Sequence, residues 1–394
     1  MYKVFMKLIR RVILIIALFC FSLLGNNDIE NNLQLNHVGL WVVRYSMINK
    51  KEIDQFIDCA KDNGITDLFV QIRGRGDAFY NSDLVKKNKN ISPHSFDPLK
   101  YACNVAHNNN LKIHAWFNTY ILLSNSKRET YSDHLLKLFP NWTETNYNGQ
   151  NDFELLYSKN TPQNYEGVYL SPIHPDVNRY LFLLIKEIIT KYDIDGIHFD
   201  YVRFQGKNWG FNKKGMEIFT KKTGLKSEDF AIDGKYYRND SLRNAFFKKY
   251  SEYRIQSVNE LIKRVSSYNK QNNNEIEISA AVKPNPILAK NNYYQDWLSW
   301  IKNDWVDFVV PMNYTQKNQT FNNILSEIKN SLDKDEYNKV LIGIGIWKQS
   351  PENASYKINL VKDQNLTGVV LFSYNTLKNK VNYYKKMVKN VRNN

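Results

Sequence analysis

The chain has 394 residues, enough to bury a large core without disulfide support, and only three cysteines, none at metal-ligand spacing. Its 54 Lys and Arg outnumber 39 Asp and Glu, and the net charge of +15 favours anionic partners such as a cell-wall polymer or a phospholipid surface. No run of about five basic residues occurs and no nucleic-acid motif is present, so specific DNA or RNA binding is disfavoured and no nucleic-acid partner is expected.

Residues 1–25 read as an export segment. Lys3, Lys7, Arg10 and Arg11 precede the apolar stretch from Val12 to Leu24, which is shorter than the roughly 20 residues a membrane span needs. A cleaved signal peptide is expected, or an N-terminal anchor if it is not removed. The protein is therefore expected in the periplasm, the cell envelope or the medium, touching membrane only through this segment. Its loss removes four positive charges and no negative ones from +15, leaving +11. Cys59 and Cys103 then remain, both on expected helices and both expected as buried free thiols, although a disulfide between neighbouring helices is conceivable.

From residue 30 to 394 the pattern is that of one α/β domain. Apolar runs rich in β-branched and aromatic residues fall at 37–44, 67–73, 111–118, 195–202, 275–283, 306–313, 339–346 and 368–374. Helical periodicity follows each, near 50–63, 97–109, 176–192, 242–270, 292–302, 320–333, 351–364 and 377–391. Strict alternation with this count predicts a single (β/α)8 TIM barrel. Three insertions, about 74–96, 119–175 and 204–241, follow the second, third and fourth strands, on the face where such barrels carry their sites. The middle one is rich in aromatics (Trp142, Tyr147, Phe153, Tyr157, Tyr165, Tyr169), which suits stacking on sugar rings and equally suits a self-packed cap.

Polar and aromatic residues gather at the strand ends. The second strand delivers Gln71 and Arg73 on one face, then a Gly-bracketed turn presenting Asp77; Arg73 is a candidate to fix a substrate or to orient Asp200. In the third, His114, Trp116 and Asn118 share a face, with Trp116 as a stacking platform. The fourth strand, Asp195-Gly196-Ile197-His198-Phe199-Asp200-Tyr201-Val202-Arg203, is the most telling. If Phe199 packs outward, His198 and Asp200 point into one cavity, followed by Tyr201 and Arg203. Lys283, Asn313, Tyr314 and Trp347 close the fifth to seventh strands.

These residues carry a resemblance. The runs Gln71–Tyr80, Phe96–Leu99, Leu111–Asn118, Tyr169–Pro172 and Asp195–Tyr201 occur in the order seen in the glycosyl-hydrolase-like family 10 proteins, and the likeness covers about residues 37–375. It implies an exported or envelope-associated TIM-barrel hydrolase, some of whose relatives act on peptidoglycan glycan strands lacking stem peptides. Two departures stand out: Tyr201 where many members carry a second Asp, and Gln205 where a Pro is usual.

Glycoside hydrolysis generally needs two carboxyl groups, one protonated and one ionised. Asp200 is the first choice, with His198 and Arg73 expected to hold it ionised. For the second, Asp77 is chosen over Asp152, Glu154 and Glu166, because its Gly-bracketed position is fixed. A chitinase-like pattern is present, but Val202 occupies the place of that chemistry's acid. A non-catalytic carbohydrate-binding barrel of the envelope is the alternative. No cofactor is expected, and a metal site built from His114, His198 and Asp200 is disfavoured because no HxH or HExxH spacing supports it.

Overall fold

In the computed structural model, which describes residues 33, 35–124, 134–158, 165–230, 238–380 and 382–391, the apolar runs become strands within three residues of their expected ends. The expected export segment lies outside the described residues. The barrel strands are β1 (His37–Val42), β2 (Asp67–Arg73), β3 (Lys112–Asn118), β6 (Gly196–Asp200), β7 (Glu277–Val282), β8 (Phe308–Pro311), β9 (Ile342–Gly345) and β10 (Gly368–Phe372). They run parallel in the order β8-β7-β6-β3-β2-β1-β10-β9. Backbone bridges between Val309 and Val340 and between Met312 and Gly343 bring the two ends together, so the sheet is nearly closed.

The helices begin where capping chemistry allows. Asn49 caps α1 (Lys50–Asp62) through the Glu52 N–H, and Asp97 caps α2 (Pro98–His107) through Lys100, with Pro98 at the first helical position where no N–H is needed. Then come α3 (Val177–Lys191), α4 (Lys213–Thr223), α5 (Asp240–Gln271), α6 (Pro286–Tyr293), α7 (Trp297–Lys302), α8 (Asn318–Ser331), α9 (Pro351–Asp363), α10 (Tyr374–Asn379) and α11 (Tyr383–Lys389). Two expected helices are each split in two. Tyr294 and Asn382, with φ of +54° and +62°, leave the right-handed helical region, so 292–302 divides between α6 and α7 and 377–391 between α10 and α11.

Alternation along each strand builds two cores. Outward residues such as Val70, Ala115 and Phe199 join the helices in one continuous layer, while Trp41, Phe69, Trp116, Ala281, Phe308, Val310, Leu341 and Val370 fill the barrel interior. The insertion after β3 is not irregular throughout. It folds as an antiparallel pair, β4 (Ile121–Ser124) and β5 (Gly167–Tyr169), separate from the barrel sheet. Its aromatics pack on one another: Trp142 stacks on Phe139 at 4.4 Å, Phe153 meets Tyr157 edge-on, and Tyr165 and Tyr169 are buried. Tyr147 and Tyr157, in contrast, are 47 % and 54 % exposed, so self-packing does not use all of this aromatic surface. Cys59 and Cys103 are free thiols, Cys103 buried and Cys59 partly so.

Candidate active site

The site rests on a plug of aromatic side chains inside the barrel. His198, on β6, lies beneath the mouth between Trp41 and Ser279: the Trp41 indole N–H donates to Nε2 at 3.2 Å, and Nδ1 lies 2.8 Å from Ser279 Oγ. An indole only donates, so Nε2 must be the bare nitrogen and Nδ1 carries the proton to Ser279. Full burial, with His114 nearby, drives its pKa well below the ordinary value. His198 is therefore neutral. It supports the floor of the site, and does not supply the positive charge expected beside Asp200.

Asp200 ends β6, and alternation does turn it to the His198 side of the sheet, with Phe199 packed outward. The Trp116 indole N–H reaches Oδ2 at 3.2 Å, and the Tyr201 backbone N–H reaches Oδ1 at 2.7 Å. Tyr201 takes φ of +52°, the left-handed region that a tyrosine rarely adopts, and this turn brings its N–H back onto the carboxylate. Burial raises the Asp200 pKa to about 6, a shift that the two N–H groups and Arg203 oppose and nearby Glu166 reinforces. The expectation that neighbouring positive charge would favour ionised Asp200 is corrected: burial enlarges the protonated share, which reaches half near pH 6 and is about a tenth at pH 7.

The carboxylate sharing this environment is Glu166, just before β5. One Arg203 Nη lies 3.1 and 2.9 Å from its two oxygens, the Tyr169 hydroxyl donates to Oε2, and Lys283 Nζ stands 3.8 Å from Oε1. Burial opposes its charge, but Arg203 and Lys283 outweigh burial and lower its pKa. Arg203 is itself buried among the Tyr169, Tyr201 and Tyr293 rings. Lys283, over the Tyr293 ring at 4.5 Å, is pulled down to about 8 by burial and by Arg203. Two carboxyl groups are thus pushed in opposite directions, the pattern that separates an acid from a base.

Around them, Tyr314, Trp347 and Phe372 form a half-buried aromatic wall, with ring centres 5.1 to 5.7 Å apart. Arg44, which the sequence did not single out, crosses the mouth after β1 and donates to Gln71 Oε1 at 2.9 Å. Gln71 in turn donates to Asn118 at 3.3 Å. A Cβ on Gly74 would lie 2.4 Å from Arg44 Cδ, so that glycine makes the seat. Its absence of a side chain was the available signal, but nothing local tied it to Arg44.

Several expected site residues lie elsewhere. Pairing between β2 and β3 shifts after Gln71, so Arg73 lines up with outward-facing Phe117. Its guanidinium, fully buried over the Phe117 ring, donates to the Asn118 and Thr119 carbonyls behind the barrel wall. Asp77 accepts from Asn88 and from the Arg75 N–H, and its charge acts on Arg44, Arg73 and His134. Trp116 is only 4 % exposed and offers Asp200 an N–H, with no open face for a sugar. Asn313 turns outward and donates to the Phe321 carbonyl. His114 sits near the amino-terminal ends of the strands, stacked on Phe69 and bonded to Asp67. A metal shared by His114, His198 and Asp200 has no basis, because both His198 nitrogens are engaged. Among the described residues, the cluster with metal-ligand geometry is Asp67, His114 and Glu277, at that opposite end.

The sequence-family model described as Glycosyl hydrolase-like 10 matches residues 32–361. Among curated proteins, the chain is similar to "Glycosyl hydrolase YngK" of Bacillus subtilis, 23 % identical over 67 % of this chain and 49 % of that protein. It is also similar to "Glycosyl hydrolase DigH" of Escherichia coli K12, 23 % identical over 78 % of this chain and 66 % of that protein. The matches thus span about half to two thirds of those relatives. Among solved structures, the glycoside hydrolase domain of PgaB (BpsB) from Bordetella bronchiseptica superposes with a TM-score of 0.62 at 13 % identity, covering 91 % of this chain and 99 % of that one. An alpha-L-fucosidase from Paenibacillus thiaminolyticus gives 0.56 at 11 %, covering 90 % and 48 %. At these identities the structures show the fold, a TIM barrel used by glycoside hydrolases.

Proposed function

Since the chain belongs to the glycosyl hydrolase-like 10 family, we propose that it is an exported glycoside hydrolase that cleaves O-glycosidic bonds of a glycan, with Asp200 as acid and Glu166 as the ionised partner. One observation carries this reading: burial raises Asp200 to about 6, while Arg203 and Lys283 overcome burial to keep Glu166 low. Protonated Asp200 gives its proton to the glycosidic oxygen as the C1–O bond breaks. Glu166 then meets the positive charge developing at C1, either by attack or by taking a proton from the incoming water. Trp116 positions the acid, and steadies the carboxylate that remains after transfer. Tyr314, Trp347 and Phe372 offer apolar ring surface for the sugar. The positive balance of the chain favours an anionic polymer, and a cell-wall glycan strand is the substrate we propose.

One observation favours the alternative of a non-catalytic carbohydrate-binding barrel: both Glu166 oxygens already face Arg203. The test incubates purified peptidoglycan, intact and stripped of stem peptides, with the wild type and with Asp200→Asn, and reads released sugars by mass spectrometry. Release by the wild type alone is expected. Equal release by both would remove Asp200 from the chemistry, and retention of the polymer by both without release would establish the binding barrel.

A further inference from the structure

At the amino-terminal floor of the barrel, opposite the site above, three strands bring together side chains that the proposed hydrolysis does not use. We infer a divalent-metal site of the zinc class, held by Asp67 of β2, His114 of β3 and Glu277 of β7. His114 Nε2 lies 3.2 Å from Asp67 Oδ1 and 3.8 Å from Glu277 Oε2, and one ligand atom from each residue falls within 4.8 Å of the others. Zinc bonds of about 2.0–2.1 Å at tetrahedral angles separate ligand atoms by roughly 3.3 Å. The observed spacings bracket that value. One imidazole with two carboxylates is a donor set that suits zinc better than calcium or magnesium, which take oxygen.

The backbone explains why the three converge. His114, Gly196 and Glu277 share one register line across β3, β6 and β7. A Cβ on Gly196 would lie 2.3 Å from His114 Nδ1, so only glycine lets the imidazole sit here. The ring is stacked on Phe69 at 4.6 Å and meets Phe308 edge-on, which fixes where Nε2 points. Neighbours hold the carboxylates as an outer shell would: Thr66 and His37 take Asp67 Oδ2, and Lys112 takes Glu277 Oε1 at 3.0 Å. That leaves Glu277 Oε2, which is shielded from solvent without a hydrogen-bond partner and lies toward His114 Nε2. A buried carboxylate oxygen without a donor is costly, and a cation satisfies it. The Glu277 side chain as a whole is 31 % exposed, giving the ion a way in. Binding displaces the Nε2 proton now directed at Asp67 and ties β2, β3 and β7 together around Gly196.

The test uses the full chain freed of metal by chelation and dialysis. Calorimetric titration with zinc should saturate near one equivalent, raise the unfolding temperature reversibly with chelator, and give intense visible absorption when cobalt(II) replaces zinc. Glu277→Gln should weaken zinc at least about tenfold and abolish the thermal shift, as should His114→Gln. Lys112→Ala, which removes the outer-shell partner on Glu277 Oε1 and leaves all three ligands, should weaken zinc less than Glu277→Gln does. If His114→Gln does not fold, the partly exposed Glu277 carries the test. Absence of saturable uptake, or equal affinity in Glu277→Gln, would overturn the site. None of these readouts involves glycan release, so they stand or fall apart from the proposed hydrolysis.

Discussion

Both ends of the barrel gather charged groups on shared strands, and they treat them in opposite ways. At the floor, burial works against the charge of Asp67, yet hydrogen bonds from His114 and His37 outweigh it and hold the carboxylate far below its ordinary range. At the mouth, burial of Asp200 meets only N–H donors and a more distant Arg203, and its pKa stays raised. Polar residues on strands are thus not by themselves a mark of chemistry. The mark is a buried group whose environment leaves its charge incompletely compensated.

The sharpest way to break this contrast is Asp200→Asn. Loss of a positioned acid should lower turnover by about 10²–10⁴-fold, measured as sugar release. Stability should move the other way. A folded pKa raised from 3.8 to about 6 gives a contribution present below 3.8 and lost as pH rises through 6, so at pH 8 the ionised Asp200 burdens the fold. Asp200→Asn should then unfold no earlier than wild type at pH 8, and a large drop would mark Asp200 as structural.

At the floor the expectation reverses. Asp67→Ala leaves His114 and His37 without their partner and should cost about 3–5 kcal/mol in denaturant unfolding, with turnover per folded molecule unchanged. The depressed Asp67 pKa makes its contribution present above the unfolded value and lost as pH falls through the folded one, so the variant should lose least in strong acid.

Trp116→Phe keeps most of the ring and removes the N–H on Asp200. Losing a hydrogen bond to a charged group costs roughly 1.5–3 kcal/mol, so the alkaline limb of the pH–rate profile, set near 6 by Asp200, should move upward. A fixed limb would mean that Asp200 does not set it.

The smallest effect tests whether every raised acid is catalytic. Glu144, fully buried in the insertion after β3, is pushed up to about 8 by burial, against hydrogen bonds from the Gly210 and Thr145 N–H groups to Oε2. Its contribution is present below 4.5 and lost as pH rises through 8. Glu144→Gln should flatten that decline in thermal stability, by roughly 1–3 kcal/mol at most, and leave turnover alone.

The barrel was legible because each strand is a short β-branched and aromatic run followed by helical periodicity, and these patterns are local. Depth and register were not. His114 and Trp116 stand two residues apart on one face, yet one reaches the floor and the other the mouth. The shift after Gln71 that turns Arg73 outward depends on how β2 meets β3, which no single strand reveals. Asp200 could be read from its place at a strand end. Glu166 was named only among loop carboxylates, because its importance comes from Arg203 and Lys283, 37 and 117 residues further along the chain.

The β4–β5 ribbon pairs with itself and not with the barrel sheet, and Glu166 stands at its edge while Asp200 belongs to the barrel wall. The two carboxyl groups therefore hang on different parts of the fold. What spans the two is Arg203, three residues past Asp200, which grips both Glu166 oxygens. Since the gap between two carboxyl groups decides whether a glycosidase retains or inverts configuration at the anomeric carbon, the stereochemical course of the hydrolysis proposed here would be set by that one guanidinium at the seam of ribbon and barrel.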